Sequence, residues 1–116
     1  MRGFRLQLED VRLFPVQACF NAPSDDQFLK TIEGLADRIG FGWNDAGCIP
    51  SGTPDGDGPD SGVLFYLRGY PDVIISDQEM LGFLAQALSA HASRFEADRA
   101  RAAAIYKSIE AGCSTL

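Results

Sequence analysis

No helix can run unbroken through residues 41–62. Asn44-Asp45, Ser51-Gly52-Thr53-Pro54 and Asp55-Gly56-Asp57-Gly58-Pro59-Asp60 crowd turn-forming and helix-breaking residues into one stretch. Glycine frees the backbone, proline removes a donor, and Asn, Asp and Ser side chains compete for backbone hydrogen bonds. The stretch is expected to be largely loop, with the regular elements on either side of it.

Ahead of it, Phe4, Leu6 and Leu8 alternate with polar residues, a period of two that reads as a strand or an extended tail over residues 1–10. Pro15 stands where a short helix can begin, ending before Pro23. Ser24-Asp25-Asp26-Gln27 has the form of a capping box, with two aspartates at the positive end of the helix dipole. Phe28, Ile32, Leu35 and Ile39 follow at helical spacing, and Gly40 suits a left-handed helix end.

Beyond the loop, Val63-Leu64-Phe65-Tyr66-Leu67 and Val73-Ile74-Ile75 are β-branched and aromatic runs separated by a turn-like five residues, which predicts an antiparallel hairpin. Ser76-Asp77-Gln78-Glu79 is a second capping box. Met80, Phe83, Leu84, Ala87, Leu88 and His91 continue it as an amphipathic helix expected to pack on the hairpin. A break is expected at residues 93–96, followed by a last helix with Ala102, Ile105, Tyr106 and Ile109 inward, ending at Gly112; one long bent helix is the alternative. The expected fold is α+β: one domain over residues 1–116, a small antiparallel sheet packed against three to four helices. With 46% hydrophobic residues, a chain of 116 can bury roughly two-thirds of its unfolded surface, enough for one core without disulfides or metal.

Sixteen acidic residues against ten basic ones give a net charge of −6, which argues against a nucleic-acid ligand. The acidity is concentrated: residues 20–79 carry eleven acidic and three basic side chains, while each flank is close to neutral. Such a field speeds encounter with a basic partner, although solubility alone is the plainer explanation. No run approaches the roughly 18 apolar residues of a membrane span, and no signal peptide is legible, so a cytoplasmic protein with no membrane partner is expected.

Chemistry-bearing motifs are sparse. Cys19, Cys48 and Cys113 are an odd, scattered set that implies reduced thiols, and none opens a predicted helix where its pKa would fall. No closely spaced pair among the cysteines and His91 half-forms a zinc site, and His91 reads as a core-edge histidine satisfied by a hydrogen bond. Asp55, Asp57 and Asp60 invite a calcium loop, but Pro59 and Tyr66 occupy positions where a helix–loop–helix site needs ligands. Phosphate-binding, nucleophile-elbow and zinc-helix motifs are missing, so no catalytic residue, cofactor or metal is expected.

What stands out is Gly40-Phe41-Gly42-Trp43-Asn44-Asp45-Ala46-Gly47-Cys48. Two large rings among glycines either cap the core or anchor a partner. This run, with Phe20-Asn21 and Asp25-Asp26-x-Phe28-Leu29 before it and Gly62-Val63-x-Phe65 and Val73-Ile74-Ile75-Ser76 after it, resembles immunity proteins of contact-dependent growth inhibition systems, those paired with ribonuclease toxins. The likeness covers roughly residues 14–90, and departs at residues 50–60, which are richer in Gly and Pro and poorer in Glu. It implies a small cytoplasmic α/β protein, without catalytic residues, that binds one cognate ribonuclease toxin domain and blocks it.

On that expectation Trp43, Asn44, Asp45, Asp55, Asp57, Asp60, Tyr70 and Asp72 form the partner-binding set. Carboxylates would meet toxin lysines and arginines, with Asp25, Asp26 and Asp77 as further candidates, and Trp43 or Tyr70 would supply an anchor. The competing reading is a small acidic protein- or peptide-binding adaptor unrelated to toxins. A hydrolase built on cysteine and His91 ranks third.

Overall fold

The computed structural model describes residues 4–114. Residues 1–3 of the N-terminal segment expected as strand or tail lie outside it. The rest of that segment is extended but pairs with no strand, because its backbone bonds side chains instead. Asn21 Oδ1 accepts from the N–H groups of Arg5 and Leu6, at 2.9 and 3.0 Å, and Asn21 Nδ2 donates to the Leu6 carbonyl. Gln17 Oε1 accepts from Leu8 N. Leu6 is thereby driven into the core while Phe4 stays in solvent.

Both hydrogen-bonding side chains come from α1 (Phe14–Asn21), which has proline in its first turn as expected and buries Pro15, Val16, Cys19 and Phe20. A 3₁₀ turn at Val11–Leu13 leads into it, capped by Asp10 accepting from Arg12 N.

The capping box at Ser24 does not form. Ser24 Oγ donates to the Asp26 carboxylate at 2.7 Å, and Gln27 N bonds the Ser24 carbonyl at 3.0 Å in a separate turn, so Ser24 stands outside the helix and α2 starts four residues later at Phe28–Glu33. It tightens into a 3₁₀ turn at Gly34–Asp37, and Arg38, not Gly40, takes the left-handed terminal conformation with φ 57°. Phe28, Ile32 and Leu35 are buried as their spacing predicts, whereas Ile39, past the helix end, is 49% exposed. Gly40 serves packing: a Cβ there would collide with the Cys48 carbonyl.

The stretch expected to be largely loop holds two strands. β1 (Phe41–Trp43) and β2 (Ala46–Pro50) form a hairpin in the register Phe41↔Cys48 and Trp43↔Ala46, closed by Asn44-Asp45 with Asn44 at φ 55°. Asparagine tolerates that conformation better than most residues, which makes it a hairpin residue as much as a breaker. Only residues 51–62 remain as loop. β3 (Val63–Leu67) and β4 (Val73–Ile75) form the expected hairpin, and the four strands run antiparallel in the order β1-β2-β3-β4.

The capping box at Ser76 does form, its hydroxyl accepting from Glu79 N while Glu79 Oε1 accepts from Ser76 N. It opens α3 (Asp77–Arg94), which breaks at Phe95, passes through a 3₁₀ turn at Glu96–Asp98 and resumes as α4 (Arg99–Ser114), beyond the expected stop at Gly112. α1, rather than α3, is the main cover of the sheet, with the Phe20 and Phe65 rings 5.8 Å apart; α3 pairs chiefly with α4. One core joins all layers, from Leu6 and Phe28 through Phe65 to Leu84 and Ile109. Among the described residues the architecture is α+β, a four-stranded antiparallel sheet with four helices.

These two serines give a direct test. Ser76→Ala should cost about 1 kcal/mol in urea unfolding, and Ser24→Ala, which removes no helix cap, less than about 0.5 kcal/mol. A reversed order would contradict the observed helix starts.

Candidate functional site

Alternation along the strands gives the sheet two faces of different character. Ala46, Cys48, Val63, Phe65 and Ile75 point into the core and are buried. On the other face the registered rows are Gly42, Gly47 and Tyr66, then Ile49, Leu64 and Ile74. Ile74 is 59% exposed, and Ile49, Leu64 and Tyr66 are half-buried, so this outer face is apolar and open to solvent. The Tyr66 hydroxyl lies where a Cβ on Gly42 or Gly47 would be, so the two glycines leave a trough that the phenol fills. Burial, then the neighbouring Cys19 and Cys48 thiols, pushes the Tyr66 pKa up, keeping the phenol neutral.

The expected partner-binding residues fall at the two ends of this face. The 44–45 turn and the 68–72 turn share one end, tied by Arg68 N donating to the Asp45 carbonyl at 2.9 Å and by an exposed Arg68–Asp45 pair at 3.8 Å. Trp43, Asn44, Asp45, Tyr70 and Asp72 belong to that end. Trp43 is half-buried on the core side of the edge strand, which favours its packing role. Tyr70 is 42% exposed and rests edge-on against Phe14 at 6.1 Å. Asp55, Asp57 and Asp60 lie on the exposed loop at the far end, about 16 Å away along a five-residue strand. The set expected as one site is therefore two clusters joined by the outer sheet face, which sequence reasoning missed. The face was legible in principle from the polar-free alternation of Ile49, Leu64, Tyr66 and Ile74, had β2 been recognised.

Pairing sorts the carboxylates. Asp25 is held by buried Arg5 at 3.0 Å and by Arg94 at 3.3 Å, and Asp77 by buried Arg38 at 3.2 Å, so both belong to the fold rather than to a partner. Asp26 is occupied by Ser24, whose hydrogen bond holds its carboxyl below the usual range. Asp55, Asp57, Asp60 and Asp72 make no ion pair with any described residue. All four are exposed, apart from the core.

The thiols and the histidine are apart from this surface. Burial, then contact with Cys48, pushes the Cys19 thiol well up, and burial raises Cys113, which faces Arg38. His91 is buried between the rings of Phe28 and Phe95, with Nε2 2.8 Å from Asp98 and Nδ1 without a hydrogen-bond partner among the described residues. No cysteine is among these contacts of His91. Among the described residues no group of three His, Cys, Asp or Glu is placed to hold a metal ion, and no helix is long and apolar enough to cross a membrane.

Comparison with protein-family models and with curated proteins finds no match for this chain.

The sorting of carboxylates predicts unequal stability effects. Asp77→Ala, which strips a partner from a buried guanidinium, should cost about 2 kcal/mol. The triple change of Asp55, Asp57 and Asp60 to Asn should stay within about 0.5 kcal/mol of the parent in urea unfolding. Equal losses would mean that the loop carboxylates hold the fold.

Proposed function

We propose that this protein is a non-enzymatic, cytoplasmic immunity protein that binds a cognate ribonuclease toxin domain and occludes its basic RNA-binding surface. The observation that carries this reading is the coincidence of an open apolar sheet face with carboxylates at both ends that the fold leaves unpaired. Protein interfaces join a dehydrated apolar centre to a polar rim, and that is the arrangement of Ile49, Leu64, Tyr66 and Ile74 between Asp55, Asp57, Asp60 and Asp72. A ribonuclease must hold phosphates on basic side chains, so its active surface is electrostatically complementary to such a rim. The resemblance of residues 14–90 to immunity proteins supplies the partner's identity.

The mechanism is steric and electrostatic. Unpaired aspartates steer the toxin in, burial of the outer face holds it, and the occupied basic surface is closed to RNA. Trp43, half-buried on the opposite side of the sheet, packs within the protein in this account, and Tyr70 contributes at the rim.

The test is co-purification with, and inhibition of, a candidate ribonuclease toxin domain. Neutralising Asp55, Asp57 and Asp60 together to Asn should slow association at least several-fold at low salt. The defect should vanish near 1 M salt, where the screening length is about 3 Å. A ribonuclease that is bound at unchanged rates by the triple variant at low salt would remove the acidic loop from the interface.

A further inference from the structure

At the loop end of the outer face, Ile39, Ile49 and Tyr66 line an open cleft of about 460 Å³, and Thr53, Asp55 and Asp57 stand beside them. The backbone that carries the two carboxylates is fixed by its turn. Thr53 accepts from Gly56 N through its carbonyl and from Asp57 N through Oγ1, at 3.0 and 3.1 Å, and Gly58 lies so close to the Pro50 carbonyl that no side chain fits there. Neither carboxylate is paired with a described residue. An occupant must cover an apolar floor, lie against a phenol ring and present positive charge to two acceptors. A compact ammonium satisfies the charge alone, whereas a guanidinium stacks on the ring, forks between acceptors and has an apolar stem.

We propose that this cleft seats an arginine side chain of a basic protein partner, its stem on Ile49, its guanidinium plane on Tyr66 and its N–H groups donating to Asp55 and Asp57. Only the identity of that partner, a ribonuclease toxin, rests on the functional reading above; the chemistry of the seat rests on the cleft.

The test uses the isotope-labelled full chain and three synthetic acetylated pentapeptides, Gly-X-Gly-X-Gly, with X arginine, lysine or citrulline, followed by amide NMR shifts. The arginine peptide should give saturable shifts confined to Ile39, Ile49, Thr53, Asp55, Asp57 and Tyr66, the lysine peptide should bind several-fold more weakly, and the citrulline peptide not at all. Asp55→Asn with Asp57→Asn should weaken the arginine peptide about tenfold, as expected for the loss of two part-exposed charge pairs. Equal binding of lysine and arginine, shifts spread over Asp60 and Asp72 as well, or undiminished binding to the double variant would overturn the seat. So would the same shifts on concentrating the protein without peptide, the sign of a second copy as occupant. A double variant that inhibits the ribonuclease as well as the parent does would also overturn the seat while leaving the functional reading intact. Arginine-selective binding in a protein that inhibits no ribonuclease keeps the seat and overturns that reading, in favour of an acidic peptide-binding adaptor.

Discussion

Arg38 is the residue on which the placement of everything else turns. Its backbone is left-handed, at φ 57°, a conformation that costs a side-chain-bearing residue roughly 1–2 kcal/mol and that glycine would take without strain. Arginine is there because the side chain is needed. Its Nε donates to the Ser51 carbonyl, one terminal nitrogen reaches Ser51 Oγ and Asp77, and the other reaches the Cys113 sulfur. One buried guanidinium thereby binds the end of α2's 3₁₀ extension to the exit of β2, the first turn of α3 and the last turn of α4. Deleting Asp77 leaves this charge held only by neutral partners, which costs about 2 kcal/mol. Ser51 is fixed from the core side, and in the loop that follows Asp55 and Asp57 stand beside Ile49 and Tyr66 of the outer face.

Arg5 does the equivalent work for the N-terminal segment. It is buried over the Phe28 ring at 4.0 Å and donates to the carbonyls of Phe20 and Pro23 as well as to Asp25. These two arginines explain why an acidic chain can spare some carboxylates for a partner and not others: Asp25 and Asp77 neutralise buried cations, while the loop aspartates have no such duty. α4 and the end of α3 carry the opposite character. The groove between them is lined by small residues such as Ala85, Ser89 and Ala103 and flanked by Arg99 and Lys107, a surface that a basic partner would avoid.

What the sequence discloses is what short-range chemistry decides. The β3–β4 hairpin, the Ser76 capping box and the break at Phe95 depend on residues within a few positions of one another, and each forms where its pattern places it. Ser24 carries the same local signal and fails, because Gln27 N closes a separate turn on the Ser24 carbonyl and the helix begins only at Phe28. Gly42 and Gly47 look like breakers in one dimension; in three they are cross-strand neighbours roofed by Tyr66, nearly twenty residues downstream of Gly47. The alternation of Phe4, Leu6 and Leu8 is real, but the partner is a pair of side chains on α1 rather than a strand. The acidic site was legible in composition and not in arrangement, since which aspartates are free depends on Arg5, Arg38 and Arg94, between 20 and 69 positions away.

The outer face of the sheet, with its unpaired aspartates, is the surface proposed to bind a partner. Amide hydrogen exchange of the protein alone and with the ribonuclease domain proposed as its partner reads that surface directly. New protection should concentrate in β2, β3, β4 and residues 53–57, with α3 and α4 unchanged. Protection that appears instead along the α3–α4 groove, with the sheet and the acidic loop exchanging as freely as before, would contradict it.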